Sequence, residues 1–102
     1  MNKKDSIMTV ARALEGGAIL TVRAPNYEDT YTVGPNTEAV TRRNMYGRVT
    51  KAYALYGYGK SRWLIPSYKG SAMEVASVLV EHVGRGSATE AVRKYTQARR
   101  DR

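Results

Sequence analysis

The chain has 102 residues, with 17 Lys and Arg against nine Asp and Glu, and therefore a formal net charge of +8. Its length predicts a single domain over residues 1–102, and a hydrophobic content of 42% is too high for a disordered tail. The absence of cysteine excludes disulfides and cysteine-based zinc sites, and it is typical of a protein in the cytoplasm of a bacterium or of a virus-infected cell.

The first predicted element is a helix that Asp5 or Ser6 caps and that Gly16-Gly17 ends. Its apolar residues recur at helical spacing and form one stripe, which consists of Ile7, Val10, Ala11 and Leu14. Arg12 and Glu15 interrupt this short apolar stretch, so we expect neither a signal peptide nor a membrane span.

A β-hairpin is predicted after this helix. Residues 18–24 are rich in β-branched side chains and indicate a strand, and Pro25-Asn26 indicates a turn. Residues 27–33 alternate in polarity and indicate the returning strand. The run Gly34-Pro35-Asn36 predicts a break in the chain, and residues 37–46 then predict a short helix.

Two structures fit residues 48–56, because their apolar residues suit either a helix or a strand. We favour a strand, since the segment is rich in Val, Thr and Tyr. Residues 57–60 would then be a loop, and residues 62–65 would be the partner strand that Pro66 stops. The helical alternative gives a winged-helix-like layout with residues 57–65 as the wing.

The C-terminal third predicts two helices. Ser71 and Glu74 form a capping box, and Gly84 ends the helix that follows. Residues 87–90 form a second capping box, so residues 84–86 would join the two helices into a helical hairpin. The predicted fold class is therefore α+β, with an N-terminal helix, β-hairpins and a C-terminal helical hairpin.

The most distinctive feature is a window from Ala39 to Met73 that contains no Asp or Glu. It holds six of the nine aromatic residues and seven cations, which are Arg42, Arg43, Arg48, Lys51, Lys60, Arg62 and Lys69. Like charges packed together repel, so such a block needs an outside anion or full solvation. We interpret the window as a surface for a polyanion, in which the seven cations hold the phosphates of a nucleic acid.

Tyr58 lies between two glycines and close to Lys60 and Arg62, which predicts an exposed loop tip. From there the ring can stack on an unpaired base. The alternative interpretation is that Tyr53 and Trp63 belong to the core while the cations form a solvated face.

A second basic patch is predicted on the last helix, where Arg93, Gln97 and Arg100 share one face. Two helices joined by a glycine-containing turn match the helix-turn-helix outline, and Arg and Gln suit the base edges of DNA. The alternative is a packing unit whose basic end suits the helix dipole.

No catalytic or metal site is predicted. His82 is the single histidine and has no cysteine partner for zinc. The acids are scattered, and the adjacent pair Glu28-Asp29 would point to opposite faces of a strand. We therefore expect neither enzymatic activity nor a cofactor.

The function that these features favour is non-catalytic binding of nucleic acid, DNA rather than RNA, through residues 39–73. The alternative is a small inhibitor or adaptor, of viral or other origin, that binds an acidic protein surface and blocks a larger nucleic-acid-handling or defence enzyme. Composition does not separate the two, because Tyr, Trp and Arg also dominate protein interfaces. A homodimer fits a small DNA binder, which gains affinity from two half-sites, and no membrane partner is expected.

Overall fold

The computed structural model describes residues 2–24, 30–35, 42–43, 49–50, 53–58 and 64–101, and in 42–43, 49–50, 58 and 64–68 it describes the backbone alone. The elements in chain order are α1 (Lys3–Glu15), β1 (Leu20–Arg23), β2 (Thr30–Pro35), β3 (Arg42–Arg43), β4 (Val49–Thr50), β5 (Tyr53–Tyr58), β6 (Leu64–Gly70) and α2 (Ala72–Arg100). The predicted α+β class is confirmed. Within those ranges, neither helix is long and apolar enough to cross a membrane.

The N-cap of helix α1 lies three residues before Asp5 and four before Ser6, the two predicted caps. Asn2 is the N-cap, and its side-chain oxygen accepts a 2.8 Å hydrogen bond from the backbone N–H of Asp5. The prediction of Asp5 or Ser6 as the cap is therefore wrong. The predicted end is confirmed, since Gly16 caps the helix and Gly17 follows with a φ of 94°, a conformation that glycine adopts without strain.

Strands β1, β2, β5 and β6 form one antiparallel sheet in that order, and β3 pairs with β4 in a separate two-stranded sheet. The hairpin predicted from residues 18–33 is confirmed as the β1–β2 pair. Gly34-Pro35, predicted as a break, instead ends β2 and pairs with β5. The pairing of β2 with β1 ends at Val33, which is opposite Leu20. Pro35 lies beyond this pair, so its missing N–H removes no hydrogen bond to β1.

The described residues in the middle of the chain all lie in strands. The helix predicted for residues 37–46 is wrong at Arg42–Arg43, which pair with Val49–Thr50. The strand favoured for residues 48–56 is confirmed in its described part, so the winged-helix-like alternative is wrong. Tyr58 belongs to β5 rather than to a loop tip, because the strand continues through the predicted loop start.

Strand β6 runs through Pro66, which was predicted to stop it. In the described sheet β6 is an outer strand, and its register shifts beside Tyr56, where Pro66 and Ser67 stand opposite that one residue. Proline is tolerated at bulges and on outer strands, because a ladder hydrogen bond is not needed there. The prediction that Pro66 ends the strand is therefore wrong.

Helix α2 confirms the first predicted cap, since the Ser71 hydroxyl accepts a 3.2 Å hydrogen bond from the N–H of Glu74. Gly84 interrupts the helix with φ 85° and ψ 161°, where a break was predicted. The second helical segment of α2 begins before Ser87, the predicted cap. The side-chain hydroxyl of Thr89 donates to the Arg85 carbonyl at 2.8 Å, a contact between residues one helical turn apart. Arg85 and Gly86 are therefore helical, and no three-residue loop joins the segments.

Both helices pack on one face of the sheet. Burial alternates along β1, where Leu20 and Val22 are buried while Thr21 and Arg23 are exposed, and along most of β2. One core unites the helices with this face through Val10, Leu14, Leu20, Val22, Val33, Leu55, Val75 and Leu79. Each fully buried Leu or Val stabilises the fold by about 1.5–3 kcal/mol. The helices therefore cover one side of the sheet.

Candidate nucleic-acid interface

The sheet face that points away from the helices carries polar, cationic and tyrosine side chains. Those that are exposed or half-buried are Thr21, Arg23, Thr30, Thr32, Tyr56 and Lys69, and we call this set the open face. Ala54 also lies on this side and is only 2% exposed, so neighbouring groups cover this side of the sheet at Ala54.

Strand pairing fixes how these residues are arranged. Thr21 is opposite Thr32, which is opposite Tyr56, so the three form one row across three strands. In the next row Arg23 is opposite Thr30, which is in register with the backbone of Tyr58. Positions two residues apart on one strand share a face and are about 6.8 Å apart. The open face is thus an ordered array with threonines between the basic edge and the tyrosine strand.

The carboxylates of the described residues are confined to the helical layer of the molecule and its ends, whereas cations occur in both layers. None of the six described strands contains an Asp or Glu, whereas Arg and Lys occur in the sheets as Arg23, Arg42, Arg43 and Lys69. The carboxylates of the described ranges lie on the helices and at the end of α2, and they are Asp5, Glu15, Glu74, Glu81, Glu90 and Asp101. The acid-free window of the sequence therefore contains two of the four strands of the main sheet, β5 and β6, and the separate β3–β4 pair, while β1 and β2 complete the main sheet without adding a carboxylate.

Arg23 and Lys69 mark the two edges of the open face. Arg23 ends β1 and Lys69 is on β6, and these are the outer strands of the described sheet. Both side chains are exposed, and neither forms an ion pair or hydrogen bond within the ranges that the structure describes.

The predicted central site is only partly within the described residues. Lys69 lies on the open face, and Arg42 and Arg43 form β3. The predicted phosphate-binding residues that lie outside the described ranges are Arg48, Lys51, Lys60 and Arg62. Tyr58 has its backbone in β5, two residues from Tyr56 and in register with the open face.

The alternative interpretation holds for Tyr53, which is a core residue with 5% exposure. Burial raises the pKa of its hydroxyl above 10.0, and the nearby Glu15 carboxylate raises it further. Trp63, the other residue in that alternative, lies outside the described residues.

The second predicted patch is exposed, but internal partners occupy two of its three side chains. Arg93 Nε donates to Glu90 Oε2 at 2.9 Å, and a second guanidinium nitrogen donates to the other carboxylate oxygen. This pairing lowers the pKa of Glu90 and raises that of Arg93. Gln97 Nε2 donates to Asp101 Oδ1 at 3.3 Å, so only Arg100 of the three has no such partner within the described part.

Arg23, Tyr56 and the threonines were not among the predicted site residues. The sequence does contain a signal for two of them, which is the alternation of apolar and polar residues in β1. Leu20 and Val22 are apolar, whereas Thr21 and Arg23 are polar. That pattern predicts which side chains face away from the core, but the sequence does not show which strands become neighbours.

The described residues contain no group of three His, Cys, Asp or Glu that could hold a metal ion. His82 is exposed on α2, and its ring stacks on Tyr31 with centroids 5.7 Å apart. The chemistry that the open face itself offers is therefore stacking, hydrogen bonding and positive charge.

Comparison with known proteins gives no match to a protein-family model, to a curated protein or to a solved structure.

Proposed function

We propose that this protein binds single-stranded nucleic acid, without catalysing a reaction, through the open face of its sheet. The observation that carries the proposal is the position of Tyr56 on a sheet whose described strands contain no Asp or Glu, between the cations Arg23 and Lys69, which form no ion pair within the described residues. Aromatic side chains on such sheets stack on bases, and flanking cations bind the phosphates.

A single strand suits this surface better than a duplex. An aromatic ring on a sheet face can stack on an unpaired base that is splayed out, whereas the bases of a duplex are already stacked on one another and paired. Stacking of a base on an aromatic ring is worth roughly 1–3 kcal/mol and depends little on sequence. DNA and RNA share the groups that this surface contacts, and our preference for DNA remains part of the proposal.

The position of the carboxylates supports the same function. Nine acids and 17 cations make the whole chain basic, and the charged residues of the described strands are all cations. A polyanion that approaches the sheet therefore meets no carboxylate on a described strand, whereas one that approaches the helices meets carboxylates among the cations. The central cations predicted from the sequence would extend the phosphate-binding surface beyond the open face.

A protein partner is the second candidate. Ile19, which is 63% exposed, packs beside Gly34 at the β1 end of the same sheet face, and Met73 is 48% exposed. Exposed apolar side chains next to basic ones also occur in protein interfaces. An inhibitor or adaptor would use this apolar border, whereas a nucleic-acid binder would depend on Tyr56.

The test is a fluorescence titration with labelled single-stranded DNA, single-stranded RNA and duplex DNA of about 20 nucleotides. We compare the protein with Tyr56→Leu and with Tyr95→Leu, a matched change of a half-buried tyrosine on α2. We expect about 10-fold weaker single-strand binding for Tyr56→Leu and little change for Tyr95→Leu. Absence of binding to all three probes at low salt would contradict the proposal and favour a protein partner.

A further inference from the structure

A cleft of about 370 Å³ separates the outer strand β1 from the second segment of α2. Its lining residues come from both elements, and they are Thr21, Val22, Arg23, Ser87, Glu90, Ala91 and Lys94. Thr21 and Arg23 belong to the open face as well, so the cleft adjoins the proposed binding surface at the edge of the sheet.

The cleft has a net positive charge. Arg23 and Lys94 are its cations, and Glu90 is the one carboxylate among its lining residues. That carboxylate is held by hydrogen bonds from Arg93 on the same helix, and Lys94 also lowers the pKa of Glu90 through its charge. Arg93 thus offsets the single negative charge, and Arg23 and Lys94 remain without a hydrogen-bonded anion in the described part.

Hydroxyl groups complete the set of donors. Thr21 on β1 and Ser87 on α2 both line the cleft, and neither side chain forms a hydrogen bond in the described ranges. Two cations and two hydroxyls that face one space are the donors that phosphate oxygens accept from in nucleic-acid complexes.

Resting on the proposed function, we propose that this cleft binds a backbone phosphate of the strand that lies on the open face. Arg23 belongs to both surfaces, so a strand that crosses the sheet passes Arg23 and reaches Lys94 where it leaves over β1. In this arrangement Lys94 and Ser87 hold the phosphate from α2, while Arg23 and Thr21 hold it from the sheet. The bound strand therefore extends beyond the sheet onto the second segment of α2.

The other cationic groove of the described surface is less suited to an anion. It is lined by Arg12 on α1 and by Arg99 and Arg100 on α2, near the C-terminal ends of both helices. The partial negative charge at those ends attracts the arginines themselves, and Arg99 lies over the ring of Tyr95 at 5.9 Å. Internal electrostatics account for that groove, whereas in the cleft Arg23 has no hydrogen-bonded carboxylate in the described part and Lys94 faces a carboxylate that Arg93 already binds.

The test compares Lys94→Gln with Lys4→Gln, a change that removes the same charge from α1, far from the cleft in sequence and on the other helix. We expect about four-fold weaker single-strand binding at physiological salt for Lys94→Gln, with a salt slope smaller by about 0.7. Lys94→Arg should retain affinity. Glu90→Gln, which removes the carboxylate from the cleft, should strengthen binding by a similar factor.

The possible failures are distinguishable. If the unaltered protein binds and Tyr56→Leu weakens it, but Lys94→Gln and Lys4→Gln behave alike, the cleft assignment is overturned while the proposed function stands. If the unaltered protein binds no strand at low salt, the proposed function itself is overturned and the cleft assignment with it.

Discussion

Thr32 of β2 and Tyr56 of β5 lie directly opposite each other on the sheet face that the helices leave uncovered. Both side chains are half-buried, and the hydroxyl-bearing Thr21 continues the row onto β1. The pair places a tyrosine beside threonines in the interior of the described sheet, between the outer strands that carry Arg23 and Lys69.

Loss of the Lys69 charge should weaken binding at the β6 edge of the open face. We expect Lys69→Gln to lower affinity for a single strand by about four-fold at physiological salt, because one phosphate contact is lost. The salt slope should become shallower by about 0.7. Lys3→Gln is the control, since Lys3 lies on α1 and its Nζ is 3.5 Å from the Glu81 carboxylate. Equal losses in the two variants would mean that total charge, and not position, controls affinity.

Ser6→Ala should stabilise the protein. Ser6 is completely buried in α1, and its hydroxyl has no hydrogen-bond partner. Replacement by alanine removes an unsatisfied polar atom and improves helix propensity, which together should raise the free energy of unfolding by about 1 kcal/mol. Thermal unfolding should show a higher midpoint, by roughly 4–8 °C. A lower midpoint would mean that the hydroxyl fills space that the core needs.

The two glycines of α2 should respond in opposite directions to alanine. Gly84 has φ 85° and ψ 161°, a conformation that other residues adopt only with strain, so Gly84→Ala should destabilise by about 1–3 kcal/mol. Gly86 is helical with nothing within 4 Å of an added Cβ, so Gly86→Ala should stabilise by about 1 kcal/mol. Chemical denaturation measures both, and the same sign for both variants would contradict the kink.

Stability should decrease at alkaline pH through Tyr53. The pKa of Tyr53 in the folded protein is raised above 10.0, its value in the unfolded chain. The neutral hydroxyl therefore makes its full contribution to stability below the unfolded-state pKa, and this contribution is lost as the pH rises through the folded-state pKa. We expect Tyr53→Phe to reduce the loss of stability that the protein shows above about pH 10. Urea unfolding of both proteins on either side of that pH measures this difference. Parallel pH profiles would show that Tyr53 does not contribute.

Local signals predicted the helix boundaries better than the strand boundaries. The Ser71 cap and the glycine ends at Gly16 and Gly84 depend on a few neighbouring residues, and the structure has them where the sequence places them. Asn2 was missed because several residues near the N-terminus can cap a helix equally well. Ser87 begins a sequence that is typical of a capping box, but the second helical segment of α2 already begins directly after Gly84.

Strand positions depended on tertiary context. Pro66 lies in β6 because the bulge and the outer position remove the need for its N–H, and neither feature is visible in the sequence. Lys69 is a residue of the open face that the acid-free window of the sequence correctly places among the exposed cations. Arg23 lies outside that window in the sequence and joins the site because β1 and β2 are paired in the same sheet as β5 and β6. Strand order therefore decides which residues form the open face.

The most direct test locates the bound strand on the protein. Amide NMR spectra of the isotope-labelled chain, recorded with increasing single-stranded DNA, should show the largest changes at Thr21, Arg23, Thr32, Tyr56 and Lys69. The amides of Lys3, Lys4 and Glu81 on the helical side should change little. Changes confined to the helices, with the open face unaffected at saturation, would contradict the account.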